Sequence, residues 1–164
     1  MEIVFYIIVG IIVCAFTFSV VFLGVPFLPT HKQQAIKMVE LAGLKPGMKM
    51  IDLGSGAGRL LFLSAKTGAQ AIGYELNPFL VLWTKLVVLL SGQKENIKVF
   101  YKSIYDADLS DVDVVVMFLY PPHMKKMVQK LKETKPGTLI ASYAFSLPEW
   151  QPLKKEQGIY IYKR

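Results

Sequence analysis

Apolar runs that alternate with helical ones predict an α/β chain built on a mostly parallel sheet, carried on an N-terminal transmembrane helix. Three observations lead there. A run of 23 uncharged residues, 3–25, opens the chain. Strand-like runs follow at 48–53, 70–75, 97–101, 112–119 and 138–143, with helical patterns at about 57–67, 78–91 and 122–133. Between the first of these strands and its helix stands MIDLGSGAGRL, residues 50–60, an acid followed by three glycines in five positions. Strands that alternate with helices imply right-handed crossovers and a parallel sheet. The expected fold is therefore Rossmann-like, with flanking helices.

The elements follow in order. As a helix, residues 3–25 reach roughly 34 Å at 1.5 Å per residue, against a hydrocarbon core of about 30 Å. A cleaved signal peptide fits poorly, because no basic region precedes the run and no A-x-A site follows it. Only Glu2 and the amino terminus precede the run, whereas His31, Lys32 and Lys37 follow. The positive-inside rule then predicts a single-pass membrane protein with the domain cytoplasmic and the N-terminus outside. This divides the chain into an anchor, 1–25, and a domain, 26–164. PFLPT, residues 26–30, stops the first helix with two prolines. THKQ, residues 30–33, has the form of a capping box for a helix to about Ala42. The tail, GIYIYKR, alternates as an antiparallel edge strand does.

Composition narrows the chemistry. The net charge of +7 comes almost wholly from lysine, with Arg59 and Arg164 the two arginines. Below a membrane anchor such charge fits contact with anionic lipid headgroups. No arginine cluster or aromatic-basic motif argues for nucleic acid. One cysteine, Cys14, excludes an internal disulfide and a cysteine-based metal cluster, and with two histidines no metal site is expected.

Glycines in a strand-to-helix turn let backbone approach a ligand at the carboxyl end of a parallel sheet. The next strand ends in Glu75, placed to accept from both ribose hydroxyls of a nucleoside. A dinucleotide turn, G-x-G-x-x-G, would need a third glycine where Arg59 stands. The chain has D-x-G-x-G-x-G instead, Asp52 to Gly58. A carboxylate there repels a pyrophosphate and suits a cation carrying an amino group and a sulfonium. The ligand this pattern suits is S-adenosyl-L-methionine, with a dinucleotide, or a turn that needs only small residues and holds no ligand, as the alternatives.

From these motifs the chain resembles the class I S-adenosylmethionine-dependent methyltransferases. LGSGAGR, GYELNP, YPPHM and the late SLPEWQP, behind an apolar span and PFLPT, are similar to the small membrane-anchored protein lysine methyltransferases. That branch includes the enzymes acting on the ATP synthase c-subunit and the adenine nucleotide translocase. The resemblance implies that Asp52, Gly54, Ser55 and Gly56, with Gly58 closing the turn, line the methionine part of the cofactor. It implies that Glu75 holds the ribose with Asn77 beside it, and that Thr30 closes over the cofactor. Pro121 and Met124 match the segment where the target amine enters, with Tyr120 beside them in the substrate channel. Two positions depart from the family pattern: Ala57 replaces an acid, and Ser103 stands where an acid usually meets the adenine amine.

Methyl transfer needs a neutral nucleophile aligned with the carbon–sulfur bond. At pH 7 about one lysine in 2,500 is neutral, a handicap of roughly 4.6 kcal/mol. A nearby sulfonium and an apolar channel, shaped by Tyr120, Pro121, Pro122, His123 and Tyr143, both push that balance toward the amine, so no dedicated base is required. The expected function is N-methylation of lysine on a membrane-embedded protein. Two alternatives stay open. One is a non-catalytic interaction module at the membrane. The other is a nucleic-acid N-methyltransferase, although Tyr120 stands where such enzymes carry Asn or Asp before Pro-Pro. The helix over 77–92 is apolar nearly all round, so it either packs on the first helix or touches the bilayer or a membrane partner.

Overall fold

A computed structural model describes residues 2–23 and 28–164. The described residues form a seven-stranded sheet in the order β3-β2-β1-β4-β5-β7-β6. The strands are β1 (Lys49–Leu53), β2 (Gln70–Glu75), β3 (Ile97–Tyr101), β4 (Val114–Met117), β5 (Leu139–Tyr143), β6 (Lys154–Glu156) and β7 (Ile159–Lys163). β1 to β5 pair in parallel, and β7 returns antiparallel against β5. The five apolar runs are thus the parallel strands, and GIYIYKR supplies β7. The short polar β6 pairs with β7 at the edge.

Helices α2 (Lys32–Leu41), α3 (Arg59–Ala65), α4 (Pro78–Leu90) and α5 (Pro121–Leu131) join and flank the strands. Two apolar cores result. One packs Ala35, Met38, Leu61 and Val81 against Met50, Val114 and Val116. The other packs Met124, Met127 and Leu131 against Ile51, Val115 and Ile140. Alternate residues of β1 and β4 therefore serve opposite faces, as the period-2 geometry of a strand dictates. The chain moves outward from β1 to β2 and β3, then returns to place β4 on the other side of β1. Order reverses between β1 and β4, and ligands of such sheets sit in the crevice outside the strand ends at that point.

The N-terminal expectation requires correction. The first element is α1 (Glu2–Leu23), but among the described residues no helix is long and apolar enough to cross a membrane. The transmembrane anchor over 1–25 is not supported, nor is the single-pass placement with a cytoplasmic domain and an outside N-terminus. The expected span runs on through Gly24 and Val25, which lie outside the described residues together with Pro26 and Phe27. The C-terminal part of α1 also lies against the domain, with Phe18 edge-to-face on Phe79 of α4, ring centres 6.1 Å apart. The capping box differs too. His31, not Thr30, occupies the cap position of α2, and it makes no side-chain cap bond.

Candidate cofactor and substrate site

β1 delivers Asp52 to the switch point, and the chain then turns through Gly54 to Gly58 into α3. Gly54 has φ +85°, which L side chains rarely adopt, and a β-carbon there would stand 3.3 Å from Leu119. The N–H groups of Gly54 and Ser55 donate to the Tyr74 carbonyl at 2.9 and 3.1 Å, fastening the turn to β2. Gly58 serves packing. It starts α3 at φ +82°, and a β-carbon there would sit 2.6 Å from the Thr84 methyl of α4. This left-handed position also explains why α3 begins at Arg59 and not at 57.

Glu75 ends β2 and reaches back to the turn. Its Oε2 accepts from the Gly56 N–H at 2.9 Å, and Oε1 accepts from the Asn77 N–H at 2.8 Å. Burial raises the Glu75 carboxyl above its ordinary range, while the backbone N–H groups of Asn77, Gly56 and Leu76 act against this. Asp52 is 2% exposed and has no such support. Burial first, and the neighbouring Glu75 charge second, push its carboxyl up to about 8. Asp52 therefore holds a proton at neutral pH until a cation comes close enough to draw it off.

Together these residues open on a cleft of about 360 Å³. Of the expected site residues, Thr30, Asp52, Gly54, Ser55, Gly56, Glu75, Ser103 and Tyr120 line it; Gly58, Asn77 and Pro121 do not. Asn77 is fully buried, and its Oδ1 caps α4 by accepting from the Phe79 and Leu80 N–H groups at 3.0 and 3.3 Å. Pro121 occupies the first turn of α5, exposed, and Met124 is buried in the core beneath that helix. Ser103 caps a 3-10 turn (Ile104–Asp106), its hydroxyl accepting from the Tyr105 N–H at 3.3 Å. The Thr30 carbonyl accepts from the Arg59 guanidinium, which ties the segment before α2 to the head of α3.

Several lining residues carry no local signal in the sequence. Tyr105 belongs to the 3-10 turn, and Phe118, Ala144 and Phe145 come from the ends of β4 and β5. Phe118 packs edge-to-face on Tyr143 at 4.9 Å and stacks on Phe145 at 6.5 Å, forming an aromatic wall. Tyr143 thus supports the cleft from behind. Ala144 has φ +66°, a strained value for a residue with a β-carbon.

The site fits S-adenosylmethionine. Asp52 is buried at the cleft without a cationic partner among the described residues, and the Gly54 cradle would be filled by a methyl group. A cation approached closely by backbone answers both.

A family model described as the ANTKMT methyltransferase domain matches residues 52–154. The chain belongs to this family. It is 35% identical over 133 residues to the mouse adenine nucleotide translocase lysine N-methyltransferase, covering 80% of this chain and 58% of that protein. It is 30% identical over 149 residues to a protein-lysine N-methyltransferase of Saccharolobus islandicus, covering 84% and 92%. An RNA methyltransferase from Salinibacter ruber, solved with S-adenosyl-L-homocysteine, superposes with a TM-score of 0.79 at 30% identity, covering 83% and 93%. Against the rat ATP synthase c-subunit lysine N-methyltransferase the chain spans 59% of the relative's length, so the mammalian proteins extend well beyond the matched part.

Proposed function

We propose that this chain is an S-adenosylmethionine-dependent protein-lysine N-methyltransferase acting on a membrane-associated protein. One observation carries the reading: Asp52 and Glu75 stand at the carboxyl ends of paired strands beside a glycine turn, in a chain of a methyltransferase family. Asp52 faces the positive end of the cofactor, where ionisation is restored by the cation. Gly54, Ser55 and Gly56 bring backbone to the methionine part. Glu75, held by two backbone donors, keeps lone pairs for the ribose hydroxyls. Ser103 takes the adenine edge and Thr30 closes the near side. Asn77 acts by fixing the head of α4, and Tyr120 and Pro121 flank the entry of the amine. Bound there, S-adenosylmethionine supplies a methyl group on a sulfonium, and the protein's task is positioning and keeping water out.

A membrane-associated substrate is supported by the surface. α4 presents Leu82, Trp83, Leu86 and Leu89 to the outside, and α1 beside it exposes further large apolar side chains, Ile12 and Val13 among them. Exposed apolar surface of this extent fits an apolar partner. The test is incubation of the full chain in detergent with labelled S-adenosylmethionine and, separately, purified ATP synthase c-subunit, adenine nucleotide translocase and total RNA. Methyl-lysine on a protein, located by peptide mass spectrometry, supports the reading.

Label entering RNA alone would favour a second reading, RNA base methylation. The similarity to the Salinibacter ruber enzyme supports that reading. Tyr120 opposes it, because a phenol lacks the side-chain carbonyl that accepts from an exocyclic base amine.

A further inference from the structure

The cleft contains a polar pair that the roles above leave unused. The Tyr105 hydroxyl lies 2.9 Å from Nδ1 of His123, in the first turn of α5. Both side chains line the cleft. Tyr105 comes from the 3-10 turn that Ser103 caps, so the pair joins the adenine side of the site to the segment where the amine enters. Lys126, also on α5, places Nζ 4.0 Å from the Tyr105 ring centre. Burial raises the Tyr105 phenol, so it stays uncharged through the neutral range. The other ionisable groups lining the cleft are Asp52, Glu75, Arg59 and Tyr120.

We infer that His123 takes the proton from the substrate ammonium at Nε2, and that Tyr105 holds the ring in the Nδ1–H form that leaves Nε2 bare. Nδ1 is engaged by the Tyr105 hydroxyl, in a contact that either group can donate, and the ring has no other hydrogen bond among the described residues. One N–H bond of the ammonium breaks and one forms at Nε2. The electron pair stays on the substrate nitrogen, which becomes the neutral nucleophile, and the imidazolium later returns its proton to water. While protonated, the ring still donates from Nδ1 to Tyr105, which steadies the charge. Imidazole suits this task because it exchanges a proton near neutral pH. His123 is thus a catalytic base that adds to the effect of the sulfonium and the apolar channel, which the sequence reading takes as sufficient alone, and Tyr105 is a positioning residue. The inference rests on the lysine reading above.

The first test needs no substrate. Long-range proton–nitrogen spectra of the nitrogen-15-labelled full chain report which ring nitrogen carries the proton. Only His31 and His123 contribute, and His123→Asn identifies the signal. The expected result is the Nδ1–H form for neutral His123, lost to a mixture in Tyr105→Phe. A neutral His123 protonated on Nε2 overturns the inference whatever the substrate proves to be.

The second test is the pH dependence of kcat on the protein found to be methylated. His123→Asn is expected to lower kcat about 100-fold and to move its acidic limb to higher pH, with cofactor affinity within threefold. Tyr105→Phe moves the limb the same way by less. An unchanged kcat profile in both variants overturns the inference. Methylation of RNA alone by the wild type contradicts the lysine reading, and with it the proton transfer from an ammonium, whatever tautomer the spectra show.

Discussion

The Glu75 carboxylate accepts a hydrogen bond from the Gly56 N–H at 2.9 Å, across 19 residues of chain. One acid thus shapes the glycine turn and, in the proposed function, holds the ribose. Removing it costs both. Glu75→Ala is expected to weaken S-adenosylmethionine binding at least 100-fold, and Glu75→Gln by less, because its amide oxygen still accepts one bond. Calorimetric titration of the two variants checks the order.

In the proposed site Asp52 is expected to make cofactor binding depend on pH. Its carboxyl sits at about 8 in the ligand-free protein, so a cation must displace a proton to meet an ionised group. Affinity should rise by up to about tenfold per pH unit between pH 6 and 8 and then flatten. Titrations at pH 6.5 in two buffers of different ionisation enthalpy should show close to one proton released. Stability of the ligand-free protein runs the other way. The folded state keeps the proton where the unfolded chain has lost it, so stability falls as pH rises from about 4 to about 8. Asp52→Asn should flatten both profiles.

Gly58 tests the division of labour inside the turn. It does not line the cleft, and its missing β-carbon makes room for Thr84. Gly58→Ala is therefore expected to cost stability, about 2 kcal/mol from overpacking and the left-handed backbone. Chemical denaturation measures this. Gly58→Ala with Thr84→Ser should recover part of the loss, since the clashing atom is the threonine methyl.

Asn77 distinguishes a cap from a ligand group. Its side chain satisfies two N–H groups at the head of α4. Asn77→Ala should lower stability by about 1–2 kcal/mol, whereas Asn77→Ser, which can still cap and buries no charge, should lose less. If cofactor affinity follows stability across the two, Asn77 acts through α4 and Glu75 alone.

How far the chain can be read from sequence depends on whether a residue's partners are local. The parallel strands are legible because Val114 to Met117 and their counterparts are apolar runs bounded by turn residues. The Asp52–glycine–Glu75 arrangement is legible because its parts fall within one β-α-β unit. Asn77 and Gly58 belong to that unit too, but their partners, the α4 amides and Thr84, are set by helix packing. Tyr105, Phe118 and Phe145 give no signal, since three separate strand ends bring them together. Thr30 reaches the cleft without capping α2, because its carbonyl is engaged by Arg59. The transmembrane reading of α1 is not supported, because among the described residues no helix is long and apolar enough to cross a membrane; the contact of Phe18 with Phe79 of α4 is long-range and carries no local signal.

Every role assigned above depends on S-adenosylmethionine binding in the Asp52–Glu75 cleft. The decisive experiment is calorimetric titration of the full chain with S-adenosylmethionine, and with S-adenosylhomocysteine. Binding is expected at tens of micromolar or tighter, roughly −6 kcal/mol or better, and abolished by Glu75→Ala in a protein that still folds. No heat of binding at millimolar S-adenosylmethionine by the folded wild-type chain would overturn the assignment.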